Sequence, residues 1–271
     1  KTIQSIAHLR KRGHAKMGRE LRAYEAGVDD TSATYVTDLC IGLFSFIVAF
    51  CYVGLRCSSK GMHLSNVSTL LAGSLFFMFF GLAYVSSAVV RIEYPHNDEF
   101  PGTPKGFEAN EGLKLSSLGA AGATLFMGTY TMANETGVSK KPVDVALLVL
   151  CALAGLFSLI GNMVIQVAIE NKPWLAQMCI VVGIMALFMA CVHRAVKGQG
   201  LAACVAGAGC FLVGAGPIFQ SFFADDCAYD KPPDCPFDAS FNHNAIGNLI
   251  TLTGTLFLSV GLGLIGCWDP I

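Results

Sequence analysis

Seven long apolar runs alternate with short polar segments along the chain. The runs lie at about residues 37–57, 66–90, 112–133, 143–169, 173–195, 200–223 and 243–267. Each reaches the length of roughly 20 residues that carries a helix across about 30 Å of hydrocarbon. Because the runs lack the alternation of membrane-barrel strands, the pattern predicts an all-α, seven-helix transmembrane bundle over residues 37–271.

Residues 1–36 form a basic arm before the first run. The arm carries Lys1, Arg10, Lys11, Arg12, Lys16, Arg19 and Arg22. Its apolar Leu9, Met17 and Leu21 fall near one side of a helical wheel, which is typical of an amphipathic helix on a membrane or against a partner. A solvated basic arm is the alternative.

Composition agrees with a membrane protein. The 271 residues are 54% hydrophobic and only 14% charged, with a mean hydropathy of +0.56, whereas soluble domains carry about 25% charged residues. A net charge of −1 gives no bulk electrostatic attraction to nucleic acid. We therefore expect a multi-pass integral membrane protein whose partners are lipids and other membrane subunits, not nucleic acid.

Glycines crowd the last two runs. Small residues let helices approach closely in lipid, so these spans are expected on the inside of the bundle. The glycines concerned are Gly207, Gly209, Gly214, Gly216, Gly247, Gly254, Gly261 and Gly263.

Ten of the eleven cysteines divide into two groups, and the remaining Cys57 lies at a loop edge. Eight lie in or at the ends of apolar runs, where a thiol behaves as a small hydrophobic group. Cys227 and Cys235 instead lie in a polar segment with two prolines between them, so we predict a disulfide there. A zinc site is less favoured, because no second pair of ligands has the usual spacing.

The cues to orientation disagree. We call side B the side holding the N-terminal arm and the loops between spans 2 and 3, 4 and 5, and 6 and 7. The side B loops carry four basic and eleven acidic residues, and the side A loops carry six basic residues. By the positive-inside rule, these loops place side A on the inside. The basic arm instead places side B on the inside. A Cys227–Cys235 disulfide would place side B in an oxidising space outside the cytoplasm. Glycosylation of the sequons at Asn66 and Asn134 would instead place side A outside.

Nearly all strong intramembrane polar residues fall in the side B half. Such residues are costly in hydrocarbon and usually face a bundle interior, a cavity or one another. The pattern predicts a ligand-binding polar vestibule open to side B. The competing interpretation is that helix ends are simply wetter, that Lys114 snorkels and that glutamines bond neighbouring helices. The vestibule candidates are Asp38, Ser86, Arg91, Lys114, Gln166, Gln177, Gln220, His243 and Asn248.

The last run opens with Phe241-Asn242-His243-Asn244, and the first contains Thr37-Asp38. These motifs resemble a group of bacterial seven-helix membrane proteins and, more distantly, the superfamily of alkaline ceramidases and progestin/adipoQ receptors. That resemblance implies a seven-helix fold with a zinc ion held by histidines of the second and last helices.

The sequence departs from that family where its metal chemistry requires ligands. Ala245 stands where the bacterial group has an Asp, Asn248 stands at the second His, and the second run has no His. Catalytic zinc needs about three protein ligands. The resemblance therefore implies a dismantled metal site.

The leading hypothesis is a non-catalytic membrane protein, either an accessory subunit of a membrane complex or a binder of lipid or another small ligand, with no catalytic residue, metal or cofactor beyond bound lipids. The first alternative is a zinc-dependent lipid amide or ester hydrolase that uses His243, Asp38 and Ser86 or Ser87. The second is a transporter with Asp38, Lys114 and His243 along a polar path.

Overall fold

The computed structural model describes most of the apolar runs and part of the polar connections. The described residues are 31–58, 64–93, 107–133, 149, 153–161, 164, 173–196, 198, 200–224, 227, 235–238 and 241–267. The predicted amphipathic helix of the basic arm lies outside this set, because only the last residues of 1–36 belong to it.

The described chain is helical throughout its long segments, which confirms the all-α prediction. Each helix falls on one predicted run. The helices are α1 (Ser32–Ser58), α2 (Leu64–Glu93), α3 (Phe107–Ala133), α4 (described over 153–161), α5 (Pro173–Val196), α6 (Gly200–Ala224) and α7 (His243–Cys267). Both α1 and α3 begin about one turn before the apolar run that predicted them, because a helix can continue into polar residues at a membrane surface.

Five of these helices contain segments long and apolar enough to cross a membrane, so the protein is a multi-pass integral membrane protein. The segments are Ser32–Cys57, Thr69–Ile92, Cys179–Val196, Gly200–Ala224 and His243–Cys267. The predicted third and fourth spans are not among the five. The fourth is described only at residues 149, 153–161 and 164.

The helices pack as a ring of neighbours. Helix α1 packs against α2 and α7, and α2 also packs against α3 and α7. Helix α5 lies between α3 and α6, and α6 packs along α7. The middle of the bundle is filled by fully buried apolar side chains of α1, α2 and α7. They include Ile41, Phe76, Phe77, Phe80, Leu258 and Leu262.

Helices α6 and α7 pack closely along each other, and glycine is the reason. A Cβ atom on Gly216 would lie 2.0 Å from the Thr251 hydroxyl oxygen, and one on Gly261 would lie 2.3 Å from the Ala206 nitrogen. The contact glycines recur every seven residues, at 209 and 216 on α6 and at 247, 254 and 261 on α7. A seven-residue period keeps one seam of each helix against its partner.

Only one face of α6 lies inside the bundle, contrary to the expectation that the sixth span as a whole would be internal. Its other face exposes Leu201, Phe211, Ile218 and Phe222, each at 70% or more of its surface. In a bilayer such apolar side chains contact lipid tails without cost. Gly209 and Gly216 therefore mark the face of α6 that meets α7.

Candidate functional site: a polar network at the side B end

Asp38 is the centre of a buried polar network. It lies in α1 with only 2% of its surface exposed. Its Oδ2 atom accepts hydrogen bonds from the Ser87 hydroxyl at 2.8 Å and from the Arg91 Nε at 2.9 Å. Its Oδ1 atom accepts one from the Asn248 amide at 2.7 Å. Both carboxylate oxygens are thus bonded, as a buried charge requires.

Asn248 extends the network to the other helices. Its Nδ2 atom also lies 3.1 Å from the Thr37 hydroxyl oxygen and 3.3 Å from the Thr34 carbonyl oxygen. Its Oδ1 atom accepts a hydrogen bond from the Gln220 amide at 3.0 Å, and the same amide nitrogen donates to the Asn244 carbonyl at 3.0 Å. Polar side chains of α1, α2, α6 and α7 therefore form one connected network.

The third helix brings a second cation towards this network. Lys114 is half-buried near the start of α3 and interacts electrostatically with Asp38. Ser116 and Ser117 follow it, both with no exposed surface, and their hydroxyls have no hydrogen-bond partner in the described part of the chain. The side B end of the bundle is thus polar beyond the hydrogen-bonded network itself.

The Phe-Asn-His-Asn motif has a clear structural role. The Asn242 Oδ1 atom accepts hydrogen bonds from the backbone nitrogens of Asn244 and Ala245, at 3.0 and 3.1 Å. Asn242 is therefore the N-cap of α7. The same oxygen accepts a hydrogen bond from the Thr34 hydroxyl at 3.3 Å, which fixes the start of α7 against the start of α1.

A disulfide braces the connection between α6 and α7. Cys227 and Cys235 are bonded, which confirms the sequence prediction. Next to the bridge, the Phe237 ring packs at 5.9 Å from the ring of Phe219 and at 4.9 Å from that of Phe223. The segment that leads to the Asn242 cap is therefore held to the end of α6.

The structure brings together part of the predicted vestibule set. Hydrogen bonds join Asp38, Arg91, Asn248 and Gln220, and Lys114 lies within electrostatic reach. Ser86 is buried, and His243 is the first residue of α7 with 4% of its surface exposed. Gln166 and the Gln177 side chain lie outside the described residues.

Several residues of the network were absent from the vestibule set, Thr34 and Thr37 among them. Ser87, not Ser86, bonds Asp38. The sequence indicates this choice, because positions 87 and 91 lie four apart and therefore on one helix face, so Ser87 lies on the same side as Arg91. Asn242 was also absent. An asparagine immediately before an apolar run is a typical helix start, so its capping role was readable from the sequence.

Metal-ligating side chains are dispersed. Within the residues described, no three His, Cys, Asp or Glu side chains lie close enough together to hold a metal ion. Comparisons of the chain with protein-family models, curated proteins and solved structures found no match.

Proposed function

We propose that this chain is a non-catalytic multi-pass membrane protein that binds a lipid headgroup or another small polar ligand at the side B end of its bundle. A role as an accessory subunit of a larger membrane complex is compatible with this, because a bound lipid can lie between subunits. The observation that carries the proposal is the meeting of polar side chains from five helices in and beside the network centred on Asp38.

The charges of the cluster favour an acidic ligand group. Arg91 and Lys114 are both cationic, and both interact with the carboxylate of Asp38. We expect a phosphate or carboxylate headgroup at the membrane surface to be attracted by these two cations. Arginine and lysine are the usual partners of such groups.

The bonding of Asp38 argues against a catalytic role. A general base or metal ligand needs a lone pair directed at water, substrate or metal, but three donors already occupy three of the roughly four acceptor positions of this carboxylate. The hydrolase suggested by the resemblance to alkaline ceramidases would also need about three metal ligands. We therefore rank the hydrolase second.

The middle of the bundle argues against a transporter. Below the polar network, fully buried Phe76, Phe77, Phe80, Leu258 and Leu262 fill the space between α2 and α7. An ion or polar solute crossing here would lose its hydration among these large apolar side chains. A transporter would have to open this aromatic core.

Lipid retention tests the proposal. The protein would be purified in mild detergent, and its co-purifying lipids and small molecules would be quantified by mass spectrometry against the bulk membrane extract. We expect one class with an acidic headgroup to be enriched, and Lys114→Met to lose at least half of that enrichment. Thr253→Ala is the matched control, because this exposed threonine bonds only within its own helix.

Two results would contradict the proposal. One is a lipid content identical to that of the bulk membrane for both wild type and Lys114→Met. The other is hydrolysis of a lipid amide or ester by the purified chain alone, abolished by His243→Ala. Circular dichroism on each variant separates loss of binding from loss of folding.

A further inference from the structure

Two neighbouring helices end on exposed cysteines at the same face of the bundle. The membrane-spanning segment of α1 ends at Cys57 and that of α7 ends at Cys267, and both thiols are free and exposed. The helices pack against each other. They also run in the same direction, because the starts of both meet at Asn242 and Thr34.

Tyr52 sets the register of these two helices. Its hydroxyl donates a hydrogen bond to the Ser259 carbonyl, and its ring lies 3.7 Å from the position of a Cβ atom on Gly263. Cys57 lies five residues beyond Tyr52, and Cys267 lies four beyond Gly263. At about 1.5 Å of rise per residue, both thiols therefore lie at nearly the same depth, roughly 6–8 Å beyond this contact.

The opposite end of the bundle holds the disulfide. Cys227 and Cys235 are bonded on side B, and structural disulfides persist in oxidising compartments. Side A, where Cys57 and Cys267 lie, then faces the reducing compartment. Thiols remain free there, and fatty acyl-coenzyme A thioesters are available. Arg56 immediately precedes Cys57, in agreement with a basic inner face.

We propose that Cys57 and Cys267 are S-acylated at the side A membrane surface. In this reaction the thiolate sulfur attacks the carbonyl carbon of a fatty acyl-coenzyme A, the bond from that carbon to the coenzyme A sulfur breaks, and coenzyme A leaves as its thiol. Cysteines beside a membrane surface are the usual sites of this modification. Two acyl chains at one depth would insert beside α1 and α7.

Acyl exchange on the full chain tests this assignment. The protein would be expressed in a eukaryotic host, its free thiols blocked, its thioesters cleaved with hydroxylamine, and the released thiols tagged with a polymer that shifts the band on a gel. We expect two tags on the wild type, one on Cys57→Ser or Cys267→Ser, and none on the double variant.

Cys51→Ser is the matched control. Cys51 is also exposed on α1 but lies six residues, or about 9 Å, deeper in the membrane, so this variant should keep two tags. The proposal is overturned if the wild type carries no hydroxylamine-dependent tag, or if the double variant keeps its tags. A cross-link between Cys57 and Cys267 that a reductant removes would instead indicate a disulfide. That result would also overturn the proposal.

Discussion

The side-chain amide of Asn248 donates a hydrogen bond to the carboxylate of Asp38 across 2.7 Å, and so joins the last helix to the first. The two residues are 210 positions apart in sequence. The same asparagine accepts a hydrogen bond from Gln220 of α6. Three helices are therefore held at one point near the membrane surface.

Removing that amide is expected to destabilise the bundle. Asn248→Ala deprives the buried Asp38 Oδ1 and the Gln220 amide of a partner, and an unsatisfied buried polar group costs about 1–3 kcal/mol. The free energy of unfolding would be measured by chemical denaturation in detergent. Thr253→Ala on the same helix should change it by less than about 0.5 kcal/mol. Equal stability of the two variants would show that the network contributes little.

The pair of Asp38 and Arg91 is expected to behave as a coupled unit. Arg91→Met leaves a buried carboxylate without its hydrogen-bonded cation, and breaking a buried ion pair costs about 3–5 kcal/mol. Asp38→Asn removes the charge that needs compensation, so the double variant should be less destabilised than the sum of the single ones. A double-mutant cycle of unfolding free energies measures this coupling, and strict additivity would contradict it.

Two glycines of α6 provide a matched test of the α6–α7 contact. A Cβ atom at Gly216 would collide with Thr251 at 2.0 Å, whereas at Gly214 nothing lies within 4 Å. Gly216→Ala should therefore lower the thermal midpoint in detergent, because the two helices must separate. Gly214→Ala should leave it unchanged or raise it, because alanine favours a helix by about 1 kcal/mol over glycine. A lower midpoint for Gly214→Ala alone would reverse the assignment of the contact face.

The disulfide is expected to stabilise the start of α7. It closes a short loop, with a sequence separation of 8, for which the chain-entropy relation gives about 2–3 kcal/mol. Cys227→Ser should lower the free energy of unfolding by that amount. A reductant should lower the free energy of unfolding of the wild type equally. Cys40→Ser, at an exposed free thiol of α1, should have no effect. Insensitivity of the wild type to reductant would mean that the bridge is not formed in solution.

The helices were predictable because an apolar run of spanning length has few other structures open to it. The clustering of Asp38, Arg91 and Asn248 at one end was also predictable, since alternating spans bring their polar ends to one side. The particular atoms that meet in this cluster could not be predicted from the sequence. Whether Ser86 or Ser87 faces Asp38 depends on the rotation of α2 about its axis, and that rotation is set by packing along the whole helix.

The role of His243 shows the same limit. Its motif suggested a metal ligand through a resemblance, but the hydrogen bonds place Asn242 as the residue that caps α7. Capping needs only a local sequence signal, whereas a metal site needs ligands from several helices. A four-residue motif can therefore indicate where a helix begins more securely than which chemistry follows.

Native mass spectrometry of the gently solubilised protein, with metal analysis of the same fraction, tests the central claim most directly. We predict that the chain carries a bound acidic lipid or small ligand, alone or with partner subunits, and no stoichiometric zinc. Lys114→Met should lose that ligand mass and remain folded. A chain without a bound ligand that carries one zinc ion per molecule would contradict the account and favour the hydrolase.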